Sequence, residues 1–205
     1  APKSKKPQAA TRWRLFMTFS GRKKQILSVT EHKEKYMDSI EFIKAVIFDM
    51  NGVIIDDERI HEIAFKDILS SYGIDLTHEM YTQHFAGKTD RDGFLSIGKA
   101  YNIELPLKKV LHQKREAYLG LFPKNKRIYS GVTDAVNELA KHYILALVSS
   151  SSRKEIDLVL HEFKLAPYFR FIISADDISR GKPDPESYVK AAALLRVRPT
   201  ECVVI

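Results

Sequence analysis

The sequence predicts an α/β fold, a parallel-sheet core with a block of helices inserted after its first strand. Three observations carry this. Short β-branched apolar runs alternate with amphipathic helical segments, the pattern of a parallel sheet with helical crossovers. Residues 59–128 hold helical segments with no strand between them, so they read as one inserted module. The polar punctuation also falls just after the strands: Asp49 and Asn51, then Ser149 to Ser152, then Asp176 and Lys182. In open α/β sheets, chemistry gathers beyond the carboxyl ends of the strands.

The elements follow in order. "IKAVIFD", residues 43–49, is a buried strand by its short β-branched apolar run. Residues 58–72 place Ile60, Ile63, Ala64, Ile68 and Leu69 on one helical face, and Gly73 stops them. Further helices are expected near 77–85, 91–101 and 106–121, broken by "GID" and "NIELP". "GVTDAVNELAKHY" is an amphipathic helix and "ILALVSSSS" a second strand with a polar end. Residues 153–164 set Ile156, Val159, Leu160 and Phe163 on one face, and "FRFIISAD" is a third strand. "DPESYVKAAALLRV" is a helix that ends before Pro199, and "ECVVI" reads as a fourth strand. The resulting division is a basic extension over 1–36, a core of 37–58 and 129–205, and a helical cap over 59–128.

Composition narrows the function classes. The chain has 205 residues, 44% hydrophobic and 29% charged, in the range of a globular protein. No apolar run approaches the ~20 residues that a spanning helix needs. The net charge of +7 is concentrated: residues 1–36 hold ten Lys/Arg against two Glu, which leaves 23 basic and 24 acidic residues elsewhere. The body is therefore neutral, and the overall charge is poor evidence for nucleic-acid binding by the folded part. The leader "APKSKKPQAATRWR" reads as a disordered extension. Its alternatives are an organelle-targeting segment or an arm that contacts nucleic acid. The lone Cys202 excludes an internal disulfide, fits a reducing compartment such as the cytoplasm, and reads as a small buried hydrophobe.

"FDMNGVIIDDE", "LALVSSSS" and "RGKPDPE" stand in that order at successive strand ends. Together they resemble the first three motifs of the haloacid dehalogenase superfamily, in the branch with a helical cap that includes β-phosphoglucomutase and small sugar-phosphate phosphatases. The resemblance covers about residues 42–205. It implies a Rossmannoid core and a Mg²⁺-dependent phosphatase or sugar phosphomutase acting on a small phosphorylated metabolite.

The resemblance implies roles that the chemistry supports. Asp49 is the nucleophile, forming a transient aspartyl-phosphate. Mg²⁺, held by Asp49 and the backbone carbonyl of Asn51, screens the repulsion between carboxylate and phosphate. Ser149 holds a phosphoryl oxygen, with Ser150 and backbone N–H groups beside it. Lys182, stiffened by the "KPDP" loop, places an ammonium between Asp49 and the phosphate. The cap loop "AGKTDRDG" offers Lys88, Thr89 and Arg91 to the leaving group, against the plainer reading of a charged surface loop. His61 faces the cleft or is an ordinary histidine. Asp56 caps the turn into the cap helix or is catalytic, and the resemblance favours a structural part. Lys114 and Arg115 read as a solvated helix face.

Two departures bear on activity. The resembling proteins carry aspartate at position 51 as the acid–base group, and asparagine cannot exchange a proton. General acid–base catalysis is worth roughly 10²–10⁴-fold. The chain is therefore expected to be a slow phosphatase, a diverged enzyme (with Lys88 a conceivable imine lysine), or a phosphometabolite-binding protein without chemistry. The second departure is that "ECVVI" ends the chain where the resembling proteins place acidic metal ligands. A further acidic ligand is expected beyond Ile205, and the chain reads as a fragment with one sheet face incompletely covered.

Overall fold

A computed structural model describes residues 42–205. The basic stretch 1–36, its targeting and nucleic-acid readings, and the first residues of the expected core lie outside the described residues.

Four parallel strands form one sheet in the order β3-β2-β1-β4. They are β1 (Ala45–Phe48), β2 (Ile144–Val148), β3 (Phe169–Ile173) and β4 (Cys202–Val204). β1 is central, pairing Ala45 with Ile144 on one side and with Cys202 on the other. Its "AVIF" is buried throughout, as a strand covered on both faces requires. Alternation sorts the side chains by face. Val46, Phe48, Leu145 and Leu147 enter one apolar cluster, while Ala45, Ile47, Ala146 and Val148 enter another.

The first of those clusters is closed by α5 (Val132–Leu139) and α6 (Arg153–Glu162), through Val132, Val136, Ile156, Val159 and Leu160. The second is closed by α7 (Glu186–Leu195), through Ala191 and Leu195. Between β1 and β2 lie α1 (Glu58–Ser70), α2 (His78–His84), α3 (Asp90–Tyr101) and α4 (Leu107–Asn125). These inserted helices enclose their own cluster, with Phe65, Leu69, Phe85, Phe94 and Ile97 at its centre.

The elements follow the sequence pattern, with local differences. The strands are shorter than the apolar runs, and after β1 and β2 it is Asp49 and Ser149 that leave the ladder toward the site. α4 continues past 121, through Pro123 to Asn125. Proline there removes one backbone N–H in the last turn without stopping the helix. α5 ends at Leu139, where the backbone folds back in turns onto the Leu139 carbonyl. Cys202 is only partly buried, and its thiol faces the Arg198 carbonyl at 3.6 Å. The larger correction concerns Lys114, which is not solvated. It is 0% exposed and belongs to the buried stripe Val110, Lys114, Tyr118 and Phe122. That stripe has a spacing of four residues, one turn of helix each.

Candidate active site

The site forms where β1 and β2 end. Asp49 leaves β1 with its backbone N–H still bonded to the Ile205 carbonyl, and Ser149 leaves β2 bonded to the Ile173 carbonyl. After Asp49 the chain turns tightly, and the Ile54 and Ile55 N–H groups donate to the Met50 carbonyl. Gly52 holds this turn at φ +74°, a conformation that glycine adopts without steric cost. Asp49 and Lys182 are 133 positions apart in sequence, yet the Lys182 ammonium donates to Asp49 Oδ2 at 2.7 Å. The other carboxylate oxygen accepts from the Met50 N–H at 2.8 Å. Burial alone would lower the Lys182 pKa, but the Asp49 carboxylate outweighs it and holds the ammonium above the ordinary lysine value.

Asn51 is bonded at both ends of its amide. Its Oδ1 accepts from the hydroxyls of Ser149 at 3.1 Å and Ser151 at 3.0 Å. Its Nδ2 donates to both oxygens of Asp57, at 3.0 and 2.9 Å. This fixes the amide orientation, since an ionised carboxylate only accepts and must face the NH₂ group. The Asp57 carboxylate also accepts from the Tyr118 hydroxyl at 2.6 Å, and His61 Nε2 lies 3.2 Å from it and 3.1 Å from Asn51 Nδ2. Asp57 is 1% exposed. Burial would raise its pKa, yet the bonds and charge of His61, with Tyr118 and Asn51, hold it below the usual carboxylate value.

The expected site residues therefore divide. Asp49, Asn51, Lys182, Ser150, His61 and Lys88 line one cavity between the inserted helices and the sheet. Ser149 is buried behind it with its hydroxyl on Asn51, and Ser151 takes the lining position. Thr89 is buried at the N-terminus of α3, where its hydroxyl donates to Asp92 Oδ2 and accepts from the Asp92 N–H. Arg91 lines an adjoining cleft with Arg115 and Asp176, which shares Asp90 and Ser150 with the first. Lys88 donates to the Gln83 carbonyl at 2.8 Å. Asp56 does not cap α1: the N-cap residue is Asp57, without a side-chain capping bond, and the Asp56 carboxylate lies 3.4 Å from Arg127.

Sequence reasoning missed three participants. Asp57 carries the buried carboxylate, and its spacing of four from His61 was the available signal. Glu58 and Asp90 line the cavity from the inserted helices. Asp90 meets the Lys114 ammonium at 3.0 Å, which in turn donates to the buried Glu155 of α6 at 2.8 Å. Burial raises the Asp90 carboxyl pKa against the pull of Lys114. Glu155 is likewise desolvated, but Lys114 holds it below its ordinary value.

Contacts across the gap are close. The Ser150 hydroxyl reaches the Gly87 carbonyl at 3.3 Å. A Cβ on Gly181 would meet Asp92 Oδ2 at 2.5 Å. The cavity leaves about 60 Å³ that water can enter, room for a few water molecules.

For a metal, Asp49 and the Asn51 backbone carbonyl are hard oxygen donors that suit Mg²⁺. No cluster of three His, Cys, Asp or Glu that could hold an ion occurs among the described residues. No helix among them is long and apolar enough to cross a membrane.

Comparison with known proteins agrees with this architecture. The family model described as haloacid dehalogenase-like hydrolase matches residues 46–205. A phosphorylated carbohydrates phosphatase of Thermotoga maritima is 31% identical over 167 residues, 79% of this chain and 75% of that protein. A β-phosphoglucomutase of Bacillus subtilis is 29% identical over 172 residues, 80% of this chain and 74% of that protein. The crystal structure of CbbY from Rhodobacter sphaeroides in complex with phosphate superposes with a TM-score of 0.69 at 22% identity. It covers 79% of this chain and 76% of that one, and shares the fold.

Proposed function

Because the chain belongs to the haloacid dehalogenase-like hydrolases, we propose that it transfers phosphate from a small phosphorylated metabolite through an aspartyl-phosphate on Asp49. The observation that carries this reading is the Asp49–Lys182 pair at 2.7 Å, facing a cavity lined by Ser150 and Ser151. A carboxylate oxygen of Asp49 attacks phosphorus. The ester P–O bond breaks, and its electron pair leaves with the departing oxygen. Water then attacks the same phosphorus, releases phosphate and restores the carboxylate. Lys182 offsets charge on the phosphoryl oxygens, and the hydroxyls of Ser150 and Ser151 orient them. Mg²⁺, held by Asp49 and the Asn51 carbonyl, supplies screening of carboxylate from phosphate. Asn51 donates no proton to the leaving oxygen, so leaving groups that depart as stable anions are favoured. The small phosphorylated substrate and a cytoplasmic setting are part of the same reading, supported by the relatives' names and by the lone cysteine.

The test is hydrolysis of p-nitrophenyl phosphate with Mg²⁺. Wild type is expected to turn over, and Asp49→Asn to fall to background. Equal rates in the two would overturn the reading. A second reading, a phosphometabolite-binding protein without turnover, is favoured by the fully bonded amide of Asn51. It predicts saturable phosphate binding with background rates in both proteins.

A further inference from the structure

Away from the Asp49 cavity, we propose that the amino end of the sheet carries a docking groove for an acidic peptide segment of a partner protein. The segment presents an apolar anchor between carboxylates. This goes beyond the phosphoryl-transfer reading and does not depend on it.

The groove lies where the strands begin, whereas Asp49 and Ser149 stand where β1 and β2 end. Ile144 opens β2, Arg170 and Phe171 belong to β3, and Leu194, Leu195 and Arg196 stand at the end of α7. β3 is an edge of the sheet, so no strand among the described residues pairs with its outer side. The groove measures about 530 Å³, against about 60 Å³ for the cavity at Asp49. Its apolar floor is open: Ile144 is 43% exposed and Leu194 is 42% exposed. Single exposed apolar residues are ordinary, but apolar residues gathered in one groove with a charged rim mark an interaction surface.

Charge complementarity selects the occupant. Neither Arg170 nor Arg196 pairs with a carboxylate among the described residues, whereas Arg153, Arg180 and Arg198 pair with Asp157, Asp184 and Glu201. A carboxylate brought against either free guanidinium therefore displaces no existing partner, and the planar fork can hold it by two bonds. The carbonyl end of a helix is by itself unfavourable for an anion. Here the Arg196 N–H already reaches the Ala192 and Ala193 carbonyls, and its side chain adds a full positive charge. The two arginines come from separate elements with the apolar floor shared between them. They match carboxylates on both sides of an apolar side chain, which a peptide supplies and a single-headed fatty acid does not. The chain's own stretch 1–36, with ten Lys/Arg against two Glu, has the wrong sign for this rim. A second copy, with 23 basic and 24 acidic residues in its body, brings no excess of carboxylates.

The probe is a fluorescein-labelled hexapeptide with Leu-Phe at its centre and two acidic residues on either side. Its anisotropy is followed on titration with the full chain at ~0.05 M and ~0.3 M salt. Saturable binding is expected at the lower salt, weakened severalfold at the higher. Arg170→Glu with Arg196→Glu is expected to weaken it about tenfold or more, and Leu194→Asn to weaken it severalfold. All three side chains are exposed, so both variants should keep the wild-type melting temperature. If the charge reversal lowers that temperature, Arg170→Gln with Arg196→Gln serves in its place. Absence of saturable binding overturns the proposal, and so does equal binding of a hexapeptide with lysine at the four acidic positions. Variants that bind like wild type place the peptide elsewhere and remove the groove. Tighter binding by a peptide of residues 11–20 makes the chain's own segment the occupant and overturns the proposal. So does sedimentation as a dimer that the arginine substitutions dissociate, which makes a second copy the occupant.

Discussion

Both ends of the Asn51 amide are held inside the protein, two serine hydroxyls on its oxygen and the Asp57 carboxylate on its nitrogen. A carboxylate placed at position 51 would meet that of Asp57 at about the same 2.9 Å separation. Two carboxylates so close do not both ionise. Asn51→Asp alone is therefore expected to lower the melting temperature and to recover little activity. The paired exchange Asn51→Asp with Asp57→Asn keeps one amide against one carboxylate. It is expected to regain the stability and to raise turnover of alkyl phosphates by roughly 10²-fold or more. Thermal unfolding and initial rates on the three proteins check this. The depressed pKa of Asp57 sets a sign for pH as well. Its stabilising contribution is present above the unfolded value near 3.8 and is lost as pH falls through the lower folded value. Asp57→Asn should consequently flatten the acid limb of stability against pH. At this scale the sequence was only partly legible. "DDE" offers two adjacent aspartates, and which one turns inward depends on the register of the turn after Gly52. "SSSS" offers four hydroxyls in the same way, and the sheet places Ser149 behind Asn51 and Ser151 on the cavity.

α4 shows what helical periodicity reveals and what it hides. Val110, Tyr118 and Phe122 identify the buried stripe, and Lys114 stands in it at the same spacing. A lysine in such a stripe usually reads as an error of phase, because its partners lie far away in sequence, Asp90 on α3 and Glu155 on α6. Glu155 also accepts from the Ser152 N–H at 3.0 Å, so the same carboxylate ties α4 to the loop after β2. Removing one member of a buried charged group leaves the others uncompensated, at a cost of about 3–5 kcal/mol. Lys114→Met is expected to destabilise by that amount in denaturant unfolding. Lys114→Met with Glu155→Gln should recover a substantial part, since one stranded charge is then gone. The strands and the order of the loops were far more legible, because unbroken apolar runs and β-branched residues encode them locally. The meeting of Asp49 with Lys182 follows once the four strands are parallel and both loops leave their carboxyl ends.

Among the described residues, two apolar clusters hold the sheet layer, one of them taking in Ile60, Tyr118 and Phe122 of the inserted helices, and a third lies within those helices. Polar contacts join these parts beside the site: Ser150 to Gly87, and Lys114 to Glu155. Gly181 adds a close approach, with Thr89 and Asp92 of the helices where a side chain would otherwise stand. The space of about 60 Å³ that water can enter is far below the roughly 300–1,000 Å³ of ordinary small-molecule sites. A sugar phosphate does not fit that space as it stands, so the helices are expected to part before one binds. The rate of capture is then governed by a doorway. In stopped-flow mixing with glucitol 6-phosphate, the observed rate should level off with rising concentration, at the frequency with which the doorway opens. A rate that climbs in proportion to concentration throughout would mean that ligand enters without that motion. Two ligands of very different affinity would share the same plateau, because the wait for entry is a property of the protein and not of the visitor.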